Sequence, residues 1–128
     1  MGKIILPVFL CCLLFSCTKK QLKEMTITLH QPIDQQVYHK NDTVFVKADV
    51  SYEKEPKNIA FFIAMDITDG DSNFFKRTIL PLKTPYTVNE YYVNEFSEET
   101  HVTVSYGKRH VKTSQIYDIE TLELTFLP

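Results

Sequence analysis

Tryptophan is absent from the 128 residues, and glycine occurs only three times, at Gly2, Gly70 and Gly107. So few glycines cannot build a Gly-rich phosphate cradle, and no Gly-x-Ser-x-Gly elbow is present to carry a serine nucleophile. No cysteine follows Cys17, so the body of the chain has neither a thiol for a Cys–His pair nor a disulfide. None of the histidines His30, His39, His101 and His110 stands at the i, i+4 spacing of a helical zinc site. Charge of one sign is also lacking. With 14 basic and 16 acidic residues the formal charge is −2, too even for a nucleic-acid partner. No sustained helical period appears, and no apolar run reaches the roughly 20 residues of a membrane-spanning helix.

What is present begins at the first residues. Lys3 precedes an apolar run from Ile4 to Phe15, and Ser16-Cys17 follows. A charged start, a short apolar core and a small residue before a cut are the marks of a secretory signal. A cysteine directly after Ser16 resembles the lipobox of bacterial lipoproteins, although Phe15 departs from the smaller residue usual there. The resemblance implies cleavage before Cys17, lipid on its sulfur, and membrane attachment through that lipid. Residues 1–16 then form the signal peptide, and loss of Lys3 takes the charge from −2 to −3. Residues 17–24 form the lipidated cysteine and a polar tether carrying Lys19, Lys20 and Lys23. Residues 25–128 form one domain, large enough to bury a core without metal or disulfide.

From Met25 onward the apolar residues alternate with a period of two. Met25, Ile27 and Leu29 share one face, and Pro32 ends the strand. Val44, Val46, Ala48 and Val50 alternate with Phe45, Lys47, Asp49 and Ser51. Residues 58–68 are apolar on both faces, as expected of a central strand covered on both sides. Asp69-Gly70 between this run and Asn73–Leu80 predicts a hairpin, because a tight turn needs positive φ. Tyr86–Val93, His101–Tyr106 and Leu122–Leu127 complete the set, with 115–120 either a separate strand or an extension, and one helical turn is expected at Ser97-Glu98-Glu99. The pattern predicts an all-β chain, an antiparallel β-sandwich of about seven strands.

Two stretches resemble bacterial immunoglobulin-like domains. One runs through Ile27-Thr28-Leu29-His30-Gln31-Pro32, Val37-Tyr38 and Asn41-Asp42-Thr43-Val44, where Asn41 stands in place of a usual glycine. The other is Glu99-Thr100-His101-Val102-Thr103-Val104, with Glu99 in place of glycine. The resemblance implies an immunoglobulin-like sandwich over 25–128 and no single function. The whole arrangement resembles the small lipoproteins of Bacteroidetes-type bacteria. In that lineage, acidic residues after the lipid cysteine accompany surface export; the lysines here imply an anchor facing the periplasm, with the cell surface as the alternative, and Thr18 rather than aspartate directly after the cysteine implies release to the outer membrane. The same lineage glycosylates Asp-Thr-apolar triplets, which marks Thr43 in Asp42-Thr43-Val44.

Candidate ligand sites are few. Asp66, Asp69, Asp71 and Asn73 form a weak calcium candidate, because oxygen ligands at alternate positions suit that ion. An EF-hand counted from Asp69 needs Gly and Glu where Phe74 and Leu80 stand, so a polar hairpin is the preferred reading. Glu98-Glu99 reads as a solvated connection. The adjacent aromatic pairs Phe61-Phe62, Phe74-Phe75 and Tyr91-Tyr92 each point one ring to either face of a strand. A core without tryptophan needs many of these rings; if a binding face exists, Phe62, Phe75 and Tyr91 are its candidates, with Asn89 and Asn94 beside Tyr91. The resulting expectation is a non-enzymatic, cofactor-free lipoprotein of the cell envelope that acts as an accessory or protein-interaction module. The alternative is a binder of glycan or calcium. The partner's identity and the oligomeric state stay open.

Overall fold

The computed structural model describes residues 25–54, 57–68, 70, 72–81 and 83–128. The proposed signal, Cys17 and the tether lie outside the described residues. Eight strands follow in order: β1 (Met25–Gln31), β2 (Val37–Tyr38), β3 (Thr43–Tyr52), β4 (Ile59–Ile67), β5 (Asn73–Ile79), β6 (Tyr86–Val93), β7 (Thr100–His110) and β8 (Ile116–Phe126). They form a three-stranded sheet, β1-β3-β6, and a five-stranded sheet, β2-β8-β7-β4-β5. Every pairing is antiparallel except the short β2 against β8. The expected antiparallel β-sandwich is therefore the fold. Its eighth strand, β2, spans two residues, too few to leave a period in the sequence.

The alternation in β3 decides which face is inside. Val44, Val46, Ala48 and Val50 are fully buried, while Phe45, Lys47, Asp49 and Ser51 face solvent. They meet Phe61, Ile63 and Met65 of β4, Val102 and Val104 of β7, and Leu122, Leu124 and Phe126 of β8 in one core. Each large apolar side chain so buried contributes about 1.5–3 kcal/mol. Phe126 serves where a tryptophan is lacking. Its ring stacks on Tyr92 at 6.2 Å and meets Tyr38 edge-on at 5.6 Å and Phe96 at 5.5 Å.

The connections gather at two ends. At the end where the described chain enters, Met25 pairs with Tyr52, Tyr52 N donates to Thr84 Oγ1 at 3.1 Å, and Val111 N donates to Asn58 O at 2.8 Å. These bonds tie the β3–β4, β5–β6 and β7–β8 connections together. At the far end Asn94 is fully buried. Its Nδ2 donates to Leu127 O at 3.1 Å and Tyr38 O at 3.4 Å, and its Oδ1 accepts from Phe96 N at 3.0 Å.

Several local expectations change. β4 is an interior strand, between β7 and the edge strand β5, and is buried on both faces, but its outer face is covered by side chains of its own sheet: Lys76 and Arg109 each lie 5.8 Å from the Phe62 ring. Residues 97–99 form no helical turn; the chain crosses between sheets there in an open connection. The β4–β5 hairpin forms, yet Gly70 has no positive φ. Ile67 N donates to Ser72 O and Gly70 N to Ile67 O, closing a loop wider than a two-residue turn. In the β2–β3 connection Asn41 has φ 69°, a left-handed conformation that asparagine tolerates better than most residues. Residues 116–120 extend β8, and Lys108-Arg109-His110 closes β7. His110 Nδ1 accepts from the backbone of Lys112 and Thr113 and so braces the turn that follows.

One glycine is fixed by contact. Between the pairs Tyr106↔Glu120 and Lys108↔Tyr117, two residues of β8 oppose Gly107, a bulge in which Asp118 has φ 52°. A Cβ at Gly107 would stand 2.7 Å from the Tyr117 carbonyl oxygen, so only glycine lets the bulged backbone approach.

Candidate functional site

The three aromatic candidates do not assemble. Phe62 is buried on the outer face of the five-stranded sheet beneath Lys76 and Arg109. Phe75 points into the core beside Met65, with Arg77 4.5 Å from its ring and Tyr92 at 6.4 Å. Only Tyr91 is exposed, at 66 %. The expectation failed because strand alternation gives two faces without naming the inner one, and because charged side chains can roof an outer ring. Asn94, expected beside Tyr91 as a ligand group, is instead the buried bond hub of the far end.

Another aromatic was missed. Phe45 of β3 is 43 % exposed and lies directly opposite Tyr91 of β6 on the outer face of the three-stranded sheet. The next pair on that face is Lys47↔Asn89, and Lys47 Nζ lies 5.0 Å from the Phe45 ring centre. Asp49↔Thr87 follows. Asp49 pairs with His30 at 2.7 Å, and that hydrogen bond holds its carboxyl below the ordinary value. Thr43, the glycosylation candidate, is half-buried on the same face opposite Val93. The signal for Phe45 was readable in the sequence: it breaks the polar face of an otherwise clean alternation. The result is a strip two strands wide, with two exposed rings, one ammonium and one amide, able to stack against and hydrogen-bond to a partner.

The other candidates are dispersed. Asp66 pairs with Asn73 at the β4–β5 hairpin, while Asp69 and Asp71 lie outside the described residues. Among the described residues no group of three or more His, Cys, Asp or Glu is placed to hold a metal ion. Glu98 and Glu99 are exposed and, with Phe96 and His101, line an open depression of about 410 Å³. A smaller cleft of about 210 Å³ opens between β1 and the bulged part of β8. There Tyr106 Oη donates to Glu120 Oε2 at 2.7 Å and Lys108 Nζ meets Asp118 at 3.3 Å. Burial first, then the Glu120 carboxylate, pushes the Tyr106 phenol up to about 12. Among the described residues no helix is long and apolar enough to cross a membrane.

No protein-family model and no curated protein matches the chain. Among solved structures it is similar to a β-glucosidase from Listeria innocua, both alone and in complexes with glucose and with gluconolactone. The TM-score is 0.55 in each case, with 7–8 % identity. The match covers 82 % of this chain and only 16 % of the glucosidase, so the chain spans about a sixth of the length of the enzyme it resembles. At that identity the likeness concerns the fold alone: the chain has the backbone arrangement of a β-sandwich found within a much larger protein.

Proposed function

We propose that the chain is a non-enzymatic, lipid-anchored lipoprotein of the cell envelope that acts as an accessory or protein-interaction module. The interaction half rests on one observation: Phe45 and Tyr91 stand exposed and opposed on the outer face of the three-stranded sheet. Exposed aromatics grouped on one face are a mark of recognition surfaces. The anchor half rests on Lys3, the apolar run Ile4–Phe15 and Ser16-Cys17, with Cys17 as the lipidated residue. Lys19, Lys20 and Lys23 support an anchor facing the periplasm, and Thr18 directly after Cys17 supports its placement in the outer membrane. A glycan at Thr43 would border the aromatic strip. Exposed Tyr91 beside Asn89 also suits a sugar, which keeps glycan binding as the second reading.

The test is affinity capture from envelope membranes in mild detergent, comparing wild type with the Phe45→Ala, Tyr91→Ala double variant. A specific envelope protein retained by wild type and lost by the folded double variant supports the reading. Capture of no protein, together with glycan-array binding that depends on both rings, replaces it with the second. Incorporation of labelled palmitate into wild type but not into Cys17→Ala tests the anchor separately.

A further inference from the structure

The charges of the sandwich are divided along the strand axis. At the entry end Lys54, Lys57, Lys83 and Lys112 are all exposed, spread over the β3–β4, β5–β6 and β7–β8 connections. Those connections meet one another through the bonds of Tyr52 with Thr84 and Val111 with Asn58. Against the four lysines stands Glu53, and the sequence adds Glu55 to the same connection. Lys108 and Asp118 pair with each other above them. At the far end the sign reverses. Asp34, Asp42, Asp66, Glu95, Glu98 and Glu99 gather there, and Lys40 is the one described lysine among them. A chain of nearly balanced composition therefore folds into a molecule with a basic pole and an acidic pole.

The described chain begins at the basic pole, because Met25 pairs with Tyr52 at the last position of β3. We propose that this pole rests on the anionic headgroups of the membrane and holds the sandwich upright, with the acidic pole directed away; the proposal builds on the lipid-anchor reading above. The eight residues from Cys17 to Met25 reach at most about 28 Å when extended. A lipid at Cys17 therefore keeps the basic pole near the surface. The field of that surface decays over about 8–10 Å, so it selects orientations in which the lysines touch down. Each lysine near an anionic surface favours contact by about fivefold, and the acidic pole is repelled in the inverted orientation. The Phe45–Tyr91 face then stands beside the membrane, open to a lateral partner.

The experiment uses the full lipidated chain reconstituted into vesicles of phosphatidylcholine alone or with one part in three of phosphatidylglycerol. Amine acetylation followed by mass spectrometry reads each lysine. In anionic vesicles, labelling of Lys54, Lys57, Lys83 and Lys112 falls about fivefold relative to neutral vesicles, while Lys40 is unchanged, and 0.5 M salt abolishes the contrast. Equal labelling in the two vesicles overturns the proposal. Equal labelling on vesicles combined with protection in native envelope membranes assigns the pole to an acidic protein instead, and also overturns it. Flotation with neutral vesicles reads the anchor independently. A chain that fails to float there but shows the lysine contrast on anionic vesicles keeps the basic pole and loses the lipid anchor.

Discussion

Replacing Gly107 by alanine isolates the bulge of β8. The added Cβ would meet the Tyr117 carbonyl oxygen at 2.7 Å, the Asp118 carbonyl oxygen at 3.1 Å and the Ile119 Cα at 3.3 Å. All three are backbone atoms, so no side-chain rotation relieves the overlap. The ladder pairs on either side, Tyr106↔Glu120 and Lys108↔Tyr117, resist a shift of either strand. Overpacking of this kind costs about 1–3 kcal/mol, and a site walled by backbone belongs in the upper half of that range. For a domain near 100 residues, about 2–3 kcal/mol lowers the melting temperature by roughly 8–24 °C. Gly70→Ala is the matched control. Its Cβ would lie 3.7 Å from Ile67 Cγ2, an ordinary contact, and Gly70 has no positive φ. That variant should be neutral or more stable by about 0.4–1 kcal/mol, through the unfolded chain. Thermal and urea unfolding followed by circular dichroism would measure both. A Gly107→Ala protein that melts with wild type refutes the claim that close backbone approach dictates this glycine.

The remaining expectations use the same unfolding assays. Asn94→Ala takes the side-chain partner from Leu127 O and Phe96 N, while Tyr38 O keeps its bond from Leu127 N, and should cost about 1–3 kcal/mol; a silent variant would refute the hub. Phe126→Ala removes the ring shared by Tyr38, Tyr92 and Phe96, with an expected loss of about 3–5 kcal/mol and partial unfolding at room temperature. Tyr106 has a folded pKa of about 12, above its unfolded value near 10, so the unfolded state releases its proton first. Stability from this group is full below pH 10 and is lost as pH rises toward 12; Tyr106→Phe should flatten that alkaline slope. Phe45→Ala with Tyr91→Ala removes exposed rings and should change stability by less than about 0.5 kcal/mol while abolishing capture of the partner; a large loss of stability would instead make the rings structural.

The strands were legible because alternation is a local property. Tyr86–Val93 and the alternating core positions of β3 follow from residue order, as does the hairpin after β4. The candidate site was legible only in part. Tyr91 is exposed, but Phe62 and Phe75 are not, since burial depends on which neighbours roof a side chain and Lys76, Arg77 and Arg109 come from other strands or other register positions. Asn94 shows the same limit. An asparagine after a strand reads as surface until Tyr38, Phe96 and Leu127, distant in sequence or turned back upon it, converge on its amide.

The sequence by itself determined the all-β class and the two-faced alternation of its clearest strands. Periodicity and turn residues act over a few neighbours, and so are written in order along the chain. Only the tertiary structure decided that Phe45 meets Tyr91, that Gly107 must yield to a bulge ten residues away, and that a nearly neutral composition separates into a basic and an acidic end. Each depends on strand order and register, which bring together residues whose separation in sequence carries no record of their distance in space.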